Sequence, residues 1–408
     1  MKMRGMRTFF RAFLRASALL LITATSWSQS ITWLGTLDGV ASWASSVSAD
    51  GTVVVGGILS SSNRLHAFRW TAARGMRYMG DFGGGESWAS DVSADGSVVV
   101  GEALAPNGRR HAFRWTQAGG MRSILALGST ESYAEATSAD GSVIVGAAYI
   151  RHYIAFRWTT AGVLQDLGRL PGGGISWAFG VSEDGSVVVG AARNASDLWR
   201  AFRWTATTGM QELGTLGGDE SWAEAVSADG SVVVGRARNA SGQWRAFRWT
   251  ATTGMQELGT LGGDESWAEA VSADGSVVVG RARNASGQWR AFRWTQAGEM
   301  EDLNQTYASL LTSNSYLKVA SALSPDGRYI VGWGFNAATG HEETFLLDTW
   351  RTGDTNGDGC IDDSDLLAVL FAFGTPGTGY TRHEDINKDG IVDDADLLIV
   401  LSNFGSGC

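Results

Sequence analysis

Two cysteines and four prolines are all that a chain of 408 residues contains. Histidine is nearly as scarce, with five copies, none paired with a cysteine at metal-ligand spacing. A basic stripe is missing and the formal net charge is −10, which argues against a nucleic-acid partner. No His-Glu-x-x-His, Gly-x-Ser-x-Gly or Gly-Lys-Ser/Thr occurs, so the chemistries those motifs carry have no foothold. Beyond the N-terminal region no long apolar run appears, which excludes a membrane span in the mature chain. Glycine and tryptophan are instead abundant, at 55 and 18 residues. The glycines follow no three-residue period, which excludes collagen, and 44% apolar content argues against disorder.

The N-terminus has the order of a secretory signal. Lys2, Arg4, Arg7, Arg11 and Arg15 precede a short apolar run, Ala16 to Ala24, and then the small residues Ser26 and Ser28. About nine apolar residues are too few for a bilayer that needs ~20, so residues 1–28 are expected to be cleaved before Gln29. The mature protein is then secreted, extracellular or displayed on the cell surface.

Internal repetition governs the next three hundred residues. A Ser-x-Asp-Gly turn recurs at Asp50, Asp95, Asp140, Asp184, Asp229, Asp274 and Asp326. Ala-Phe-Arg-Trp places phenylalanine at 68, 113, 156, 202, 247 and 292, and Phe345 sits in a degenerate seventh copy. Residues 199–243 and 244–288 are identical at all 45 positions. Within one unit, Trp222 to Ser227 alternates up to an Asp-Gly turn, and Ser231-Val-Val-Val-Gly235 follows as a buried strand would. Trp244 to Thr250 and Met255 to Gly259 add a third and a fourth strand. Four short strands in about 45 residues make a propeller blade.

The last unit stops after its third strand, at Trp350, and the missing fourth has a counterpart at Ile31 to Leu37. The expected fold is therefore all-β: a seven-bladed β-propeller over 29–350, closed by an N-terminal strand, which removes the exposed edges of an open array. A β-solenoid of stacked rungs is the alternative. The Ala-Phe-Arg-Trp strand, Leu-Gly-Thr-Leu-Gly-Gly and Ser-Ala-Asp-Gly-Ser-Val-Val-Val-Gly together resemble the HAF family of bacterial extracellular repeats. That resemblance implies secretion or surface display and names no reaction. The family's leading histidine stands only at His66 and His111, with arginine at 200, 245 and 290.

Residues 351–408 carry eleven acids against three basic residues, and their spacing is that of a metal site. Asp354, Asn356, Asp358, Cys360, Asp362 and Asp365 occupy positions 1, 3, 5, 7, 9 and 12 of a calcium loop, with Gly359 at the turn. Asp385, Asn387, Asp389, Ile391, Asp393 and Asp396 repeat the pattern 31 residues later. A hard cation that takes about six to eight oxygens suits carboxylates, Asn amides and the backbone carbonyls of Cys360 and Ile391. Each loop leads into an apolar run, so the reading is a small α-helical, EF-hand-like domain over 351–408 holding two calcium ions. So small a core should depend on its metal to fold. Asp at position 12 and the close duplication resemble a type I dockerin. That implies a cohesin-like or cell-surface attachment partner, often in polysaccharide catabolism. The position 10 and 11 pairs, Asp363-Ser364 and Asp394-Ala395, depart from a Ser-Thr type pair, and the later partner-facing positions Leu370, Phe371 and Leu401 are apolar. In an exported chain Cys360 and Cys408 can form a disulfide. The alternative is two free thiols.

No catalytic residues are assigned. The acid pairs Asp219-Glu220 and Asp264-Glu265 fit a solvated turn better than a glycosidase pair. One propeller face should carry these segments together with Trp199, Trp244 and Trp289, which suits a carbohydrate or peptide ligand or simple packing between blades. The tryptophans of the Arg-Trp strands (Trp70, Trp115, Trp158, Trp204, Trp249, Trp294) are expected in the core. The overall reading is a non-catalytic binding and attachment protein, with a glycan-active hydrolase on the same anchor as the alternative.

Overall fold

The computed structural model describes residues 29–124, 128–312, 314–376, 383–387 and 390–408. The expected signal peptide, at 1–28, lies outside them. Among the described residues the chain up to Trp350 is built almost wholly of short antiparallel strands: five four-stranded sheets and one of eight strands. The eight-stranded sheet contains two groups of four, joined by one parallel bridge between Ala41 and Glu342. In each sheet consecutive strands pair as a meander, which stacked parallel rungs would not give.

The unit Gly217–Val226, Val232–Asn239, Trp244–Thr250 and Gly254–Glu257 shows why the sequence folds this way. Asp229 ends the first hairpin: its Oδ1 accepts from Ser227 Oγ at 2.7 Å and from the Ser231 amide at 2.9 Å. Ser227 Oγ in turn accepts from the Val232 amide at 2.9 Å, so the turn is a small closed network. The bond from Ser227, and then the Ser231 amide, hold the Asp229 carboxyl below its ordinary pKa. In the second strand, Val232, Val233 and Val234 are buried. Gly235 has no choice of side chain, since a Cβ there would lie 2.0 Å from the Trp222 carbonyl oxygen. The phenylalanines of the third strands (Phe68, Phe113, Phe156, Phe202, Phe247, Phe292 and Phe345) are all fully buried. The Arg-Trp tryptophans are less so. Only Trp204 is buried, while the other five are half-covered.

The units are laced to one another by three devices. The amide of Ala49 donates to the Ala94 carbonyl, Ala94 to Ala139, Ala139 to Glu183, Glu183 to Ala228, Ala228 to Ala273, and Ala273 to Pro325. Pro325 has no N–H to pass the chain on. The arginine of the third strand reaches the Asp-Gly turn of the next unit, as Arg203 Nε does to the Gly230 carbonyl at 3.0 Å. A fully buried serine stands in the first strand of every unit but the last: Ser221 Oγ accepts from the Ala201 amide of the preceding unit at 2.9 Å and donates to the Gly214 carbonyl at 2.6 Å. Ser42 does the same between the Thr344 amide and the Gly35 carbonyl, across more than three hundred residues of sequence. The N-terminal strand Ser30–Trp33 lies antiparallel on His341–Asp348, with Trp33 opposite Phe345.

After the sixth sheet a short helix, α1 (Leu303–Thr306), leads into the last group of strands. Beyond Trp350 the chain turns helical, with α2 (Asp363–Ala372) and α3 (Asp394–Asn403). No helix among the described residues is long and apolar enough to cross a membrane.

Candidate metal centre

Each acidic loop runs straight into a helix, and its last acid serves both. Asp362 caps α2, accepting from the Ser364 amide at 2.8 Å, while Asp365 Oδ2 reaches back to the Asp362 amide at 2.9 Å. Asp393 and Asp396 repeat this capping box at α3. The other oxygen of Asp365 accepts from the amide and hydroxyl of Thr355 at 2.7 and 3.0 Å, and that of Asp396 from the amides of Ile386 and Asn387 at 2.7 and 3.0 Å. The first and last acids of both loops are thus drawn inward, and Asp354, Asp365, Asp385 and Asp396 are all buried.

Asp354 Oδ1 and Oδ2 accept from the amides of Gly357 and Gly359 at 2.6 and 3.0 Å. Burial nonetheless pushes its carboxyl above the ordinary value, those two amides oppose the shift, and the charges of Asp365 and Asp358 add to it. Nearly dry carboxylates beside a tight turn are the kind of oxygen donor that a hard divalent cation takes. The turns sit at Gly359 and Gly390, with φ of 87° and 97°, a region costly for other residues. Asn356 and Asp358 lie at the rim, joined by an amide-to-carboxylate bond of 2.9 Å. Asp389 lies outside the described residues. Among those residues no group of three or more His, Cys, Asp or Glu side chains converges at metal-binding range. A loop of this kind also draws on Asn oxygens and backbone carbonyls.

The two halves complete each other. The segment after α3 pairs with the first loop, Ile361 exchanging bonds with Ser406 and Gly405 at 3.0 and 2.7 Å. The segment after α2 pairs with the second loop, Val392 bonding Thr375 and Gly374 at 3.1 and 2.8 Å. Ile361, Val369, Ala372, Val392 and Val400 form the core between them. Cys360 and Cys408 are joined in a disulfide that ties the first loop to the last residue. Outward, Leu370 is 47% exposed, Phe371 86% and Leu401 49%, and Leu367, Phe373, Leu398 and Phe404 are exposed as well. Trp350 connects this region to the strands, lying under Gly357 and against His383, with the Arg328 guanidinium 5.5 Å from its ring centre.

The second candidate surface behaves differently from the expectation. Asp219-Glu220 and Asp264-Glu265 belong to the first strands of their units, and each pair is held by an arginine. Arg238 Nε is 3.7 and 3.4 Å from the first pair, and Arg283 Nε 3.8 and 3.0 Å from the second. The expected turn is thus a strand edge, on which Asp219 and Asp264 stay solvated. Trp199 packs on Trp222 with ring centres 4.8 Å apart. Arg238 lies 4.5 Å over Trp244, and Arg283 4.8 Å over Trp289. These indoles are half-buried: Trp199 packs across to the next unit, and Trp244 and Trp289 lie against arginines of their own.

Residues 352–404 match the dockerin type I domain family. No curated protein sequence matches the chain. Its fold is similar to the β-propeller domain of the Trilobed protease from Pyrococcus furiosus, with TM-score 0.52, 10% identity, and coverage of 79% of this chain and 96% of that one. A putative TolB from Agrobacterium tumefaciens aligns at TM-score 0.45 and 14% identity, over 68% of this chain and 94% of that one. The chain is therefore all-β and propeller-like through most of its length and ends in a segment of dockerin type I character.

Proposed function

We propose that this is a secreted or cell-surface, non-catalytic binding protein. In this reading a seven-bladed propeller of HAF-type repeats, over 29–350, presents an interaction platform. A dockerin-like module, 351–408, attaches it to a cohesin-like partner. The observation that carries the proposal is the duplicated loop and helix within the dockerin-matching segment, with exposed apolar residues on both helices. Two calcium ions would be held, one by Asp354, Asn356, Asp358, Asp362 and Asp365 with the Cys360 carbonyl. The other would be held by Asp385, Asn387, Asp389, Asp393 and Asp396 with the Ile391 carbonyl. The metal would neutralise the inward carboxylates, stiffen the loops and so fix the two helices that meet the partner.

The hydrolase alternative finds no favouring observation, since the acid pairs that would serve it are engaged by Arg238 and Arg283. Calorimetric titration of residues 29–408 with calcium tests the reading. Two sites per chain, and gain of helical circular dichroism on binding, are expected. Asp365→Ala should remove one site and leave the other, and absence of binding at millimolar calcium would sink the proposal.

A further inference from the structure

One cleft of the strand region is lined neither by the acidic tail nor by Trp199, Trp244 or Trp289. It encloses 750 Å³ and is walled by the indoles of Trp43, Trp88 and Trp333, with Glu86, Glu269 and Arg281 among them. Trp43 and Trp88 come from the first strands of the first two units, Glu269 and Arg281 from the sixth, and Trp333 from the last. Residues this far apart in sequence meet only where successive units converge on a common axis. The mouth is formed by Asn63 and Glu86, in the second-to-third and fourth-to-first connections.

The indoles meet edge and face, Trp43 with Trp88 at 6.4 Å and 32°, and Trp43 with Trp333 at 6.5 Å and 84°. Trp88 is fixed from behind by Gly57, where a Cβ would come 2.2 Å from its ring. The acids are already balanced. Glu86 Oε2 is 2.8 Å from Arg110 Nη2, and Glu269 Oε1 is 3.2 Å from Arg281 Nε. Each of these acids already faces a guanidinium, while the buried Arg281 Nε is left without a hydrogen-bond partner. Paired carboxylates keep lone pairs for hydroxyl donors, however, and Ser45 and Ser321 add hydroxyls to the wall. Rigid aromatic faces, few polar groups and no net charge are the recognition chemistry of a neutral, hydroxyl-rich ring whose C–H face is apolar.

From this we infer that the axial cavity is a binding site for a neutral saccharide of one or two pyranose units, stacked on Trp43 and Trp88 and hydrogen-bonded through Glu269 and Arg281. The inference rests on the reading of the strand region as a binding platform. It gives that platform a site and a ligand class. Catalysis forms no part of it.

The test is intrinsic tryptophan fluorescence and calorimetry on the calcium-loaded chain 29–408, titrated with cellobiose, xylobiose, maltose and mannobiose. Glucuronic acid and acetyl-lysine methyl ester serve as charged comparators. One or more neutral sugars should bind saturably and perturb the indole emission. Trp43→Ala should weaken that binding by about tenfold or more. Glu269→Gln, which keeps the shape, should weaken it while leaving the melting temperature within a few degrees of the parent. Undiminished binding in both variants would place the ligand elsewhere on the platform, overturning the axial assignment alone. Tighter binding of a charged comparator would overturn the choice of a neutral ligand. If calcium binds as expected but no sugar does at millimolar concentration, the saccharide site is wrong and the docking reading survives.

Discussion

Glu102 follows the glycine of a second strand, a position that faces the interior where the units converge. Its counterparts are Gly57, Ala147, Ala191, Arg236, Arg281 and Trp333. The neighbouring Glu135 donates nothing to it and is itself held by Trp177 Nε1 at 2.9 Å. Burial, and then the Glu135 charge, push the Glu102 carboxyl up to about 8 against the opposing pull of Arg110. An unfolded chain would release that proton near 4.3, so between these values the folded state binds more protons than the unfolded one. Stability must fall as pH rises through this window. Glu102→Gln should therefore flatten the decline in melting temperature between pH 5 and 8, read by differential scanning calorimetry beside the parent. An unchanged slope would mean that Glu102 is already charged.

At the scale of the strand, a few directed bonds join one sheet to the next beside the apolar clusters that span them. Ser221 is the clearest case, because it satisfies an amide on the preceding unit and a carbonyl in the intervening connection while wholly buried. Removing its hydroxyl leaves a buried amide and a part-buried carbonyl without that partner, and the buried amide alone costs roughly 1–3 kcal/mol. Ser221→Ala should lower unfolding free energy by about 2 kcal/mol in urea titration, whereas Ser241→Ala, at an exposed turn, should change it by less than about 0.5 kcal/mol. The residues around this serine in the sequence say nothing of its role. Its hydrogen-bond donor lies 20 residues earlier, on another sheet, and only the stacking of units brings the two together. The Asp-Gly turns were legible for the opposite reason. Their Ser, Asp and Gly bond one another within five residues, so local sequence contains the whole network.

Across the whole molecule, the N-terminal strand Ser30–Trp33 is the piece that joins the two ends of the strand region. Without it, the strand His341–Asp348 would expose a row of unpaired backbone groups, the situation that drives edge-to-edge association. A chain beginning at residue 38 loses that strand and also the Gly35 carbonyl that anchors Ser42. It should melt several degrees lower and self-associate in light scattering. A monomer of parental stability would show that the strand is dispensable.

Sequence alone determined whatever is local or periodic. The seven turn signatures, the buried phenylalanine of each third strand, the glycine after each valine run, and the split last unit are properties of single segments. So are the two acidic loops, because calcium-loop donors lie within twelve residues of one another, and the capping boxes at Asp362 and Asp393 follow from the same spacing. Tertiary structure decided what depends on units meeting. It made the supposed turn at Asp219-Glu220 part of a strand and set Arg238 beside it. It left five of the six Arg-Trp tryptophans half-covered, and it assembled Trp43, Glu269 and Trp333 around one cavity. Periodicity fixes which face of a strand a side chain takes, but not what the next sheet sets against it, and the interior of this protein is made of such encounters.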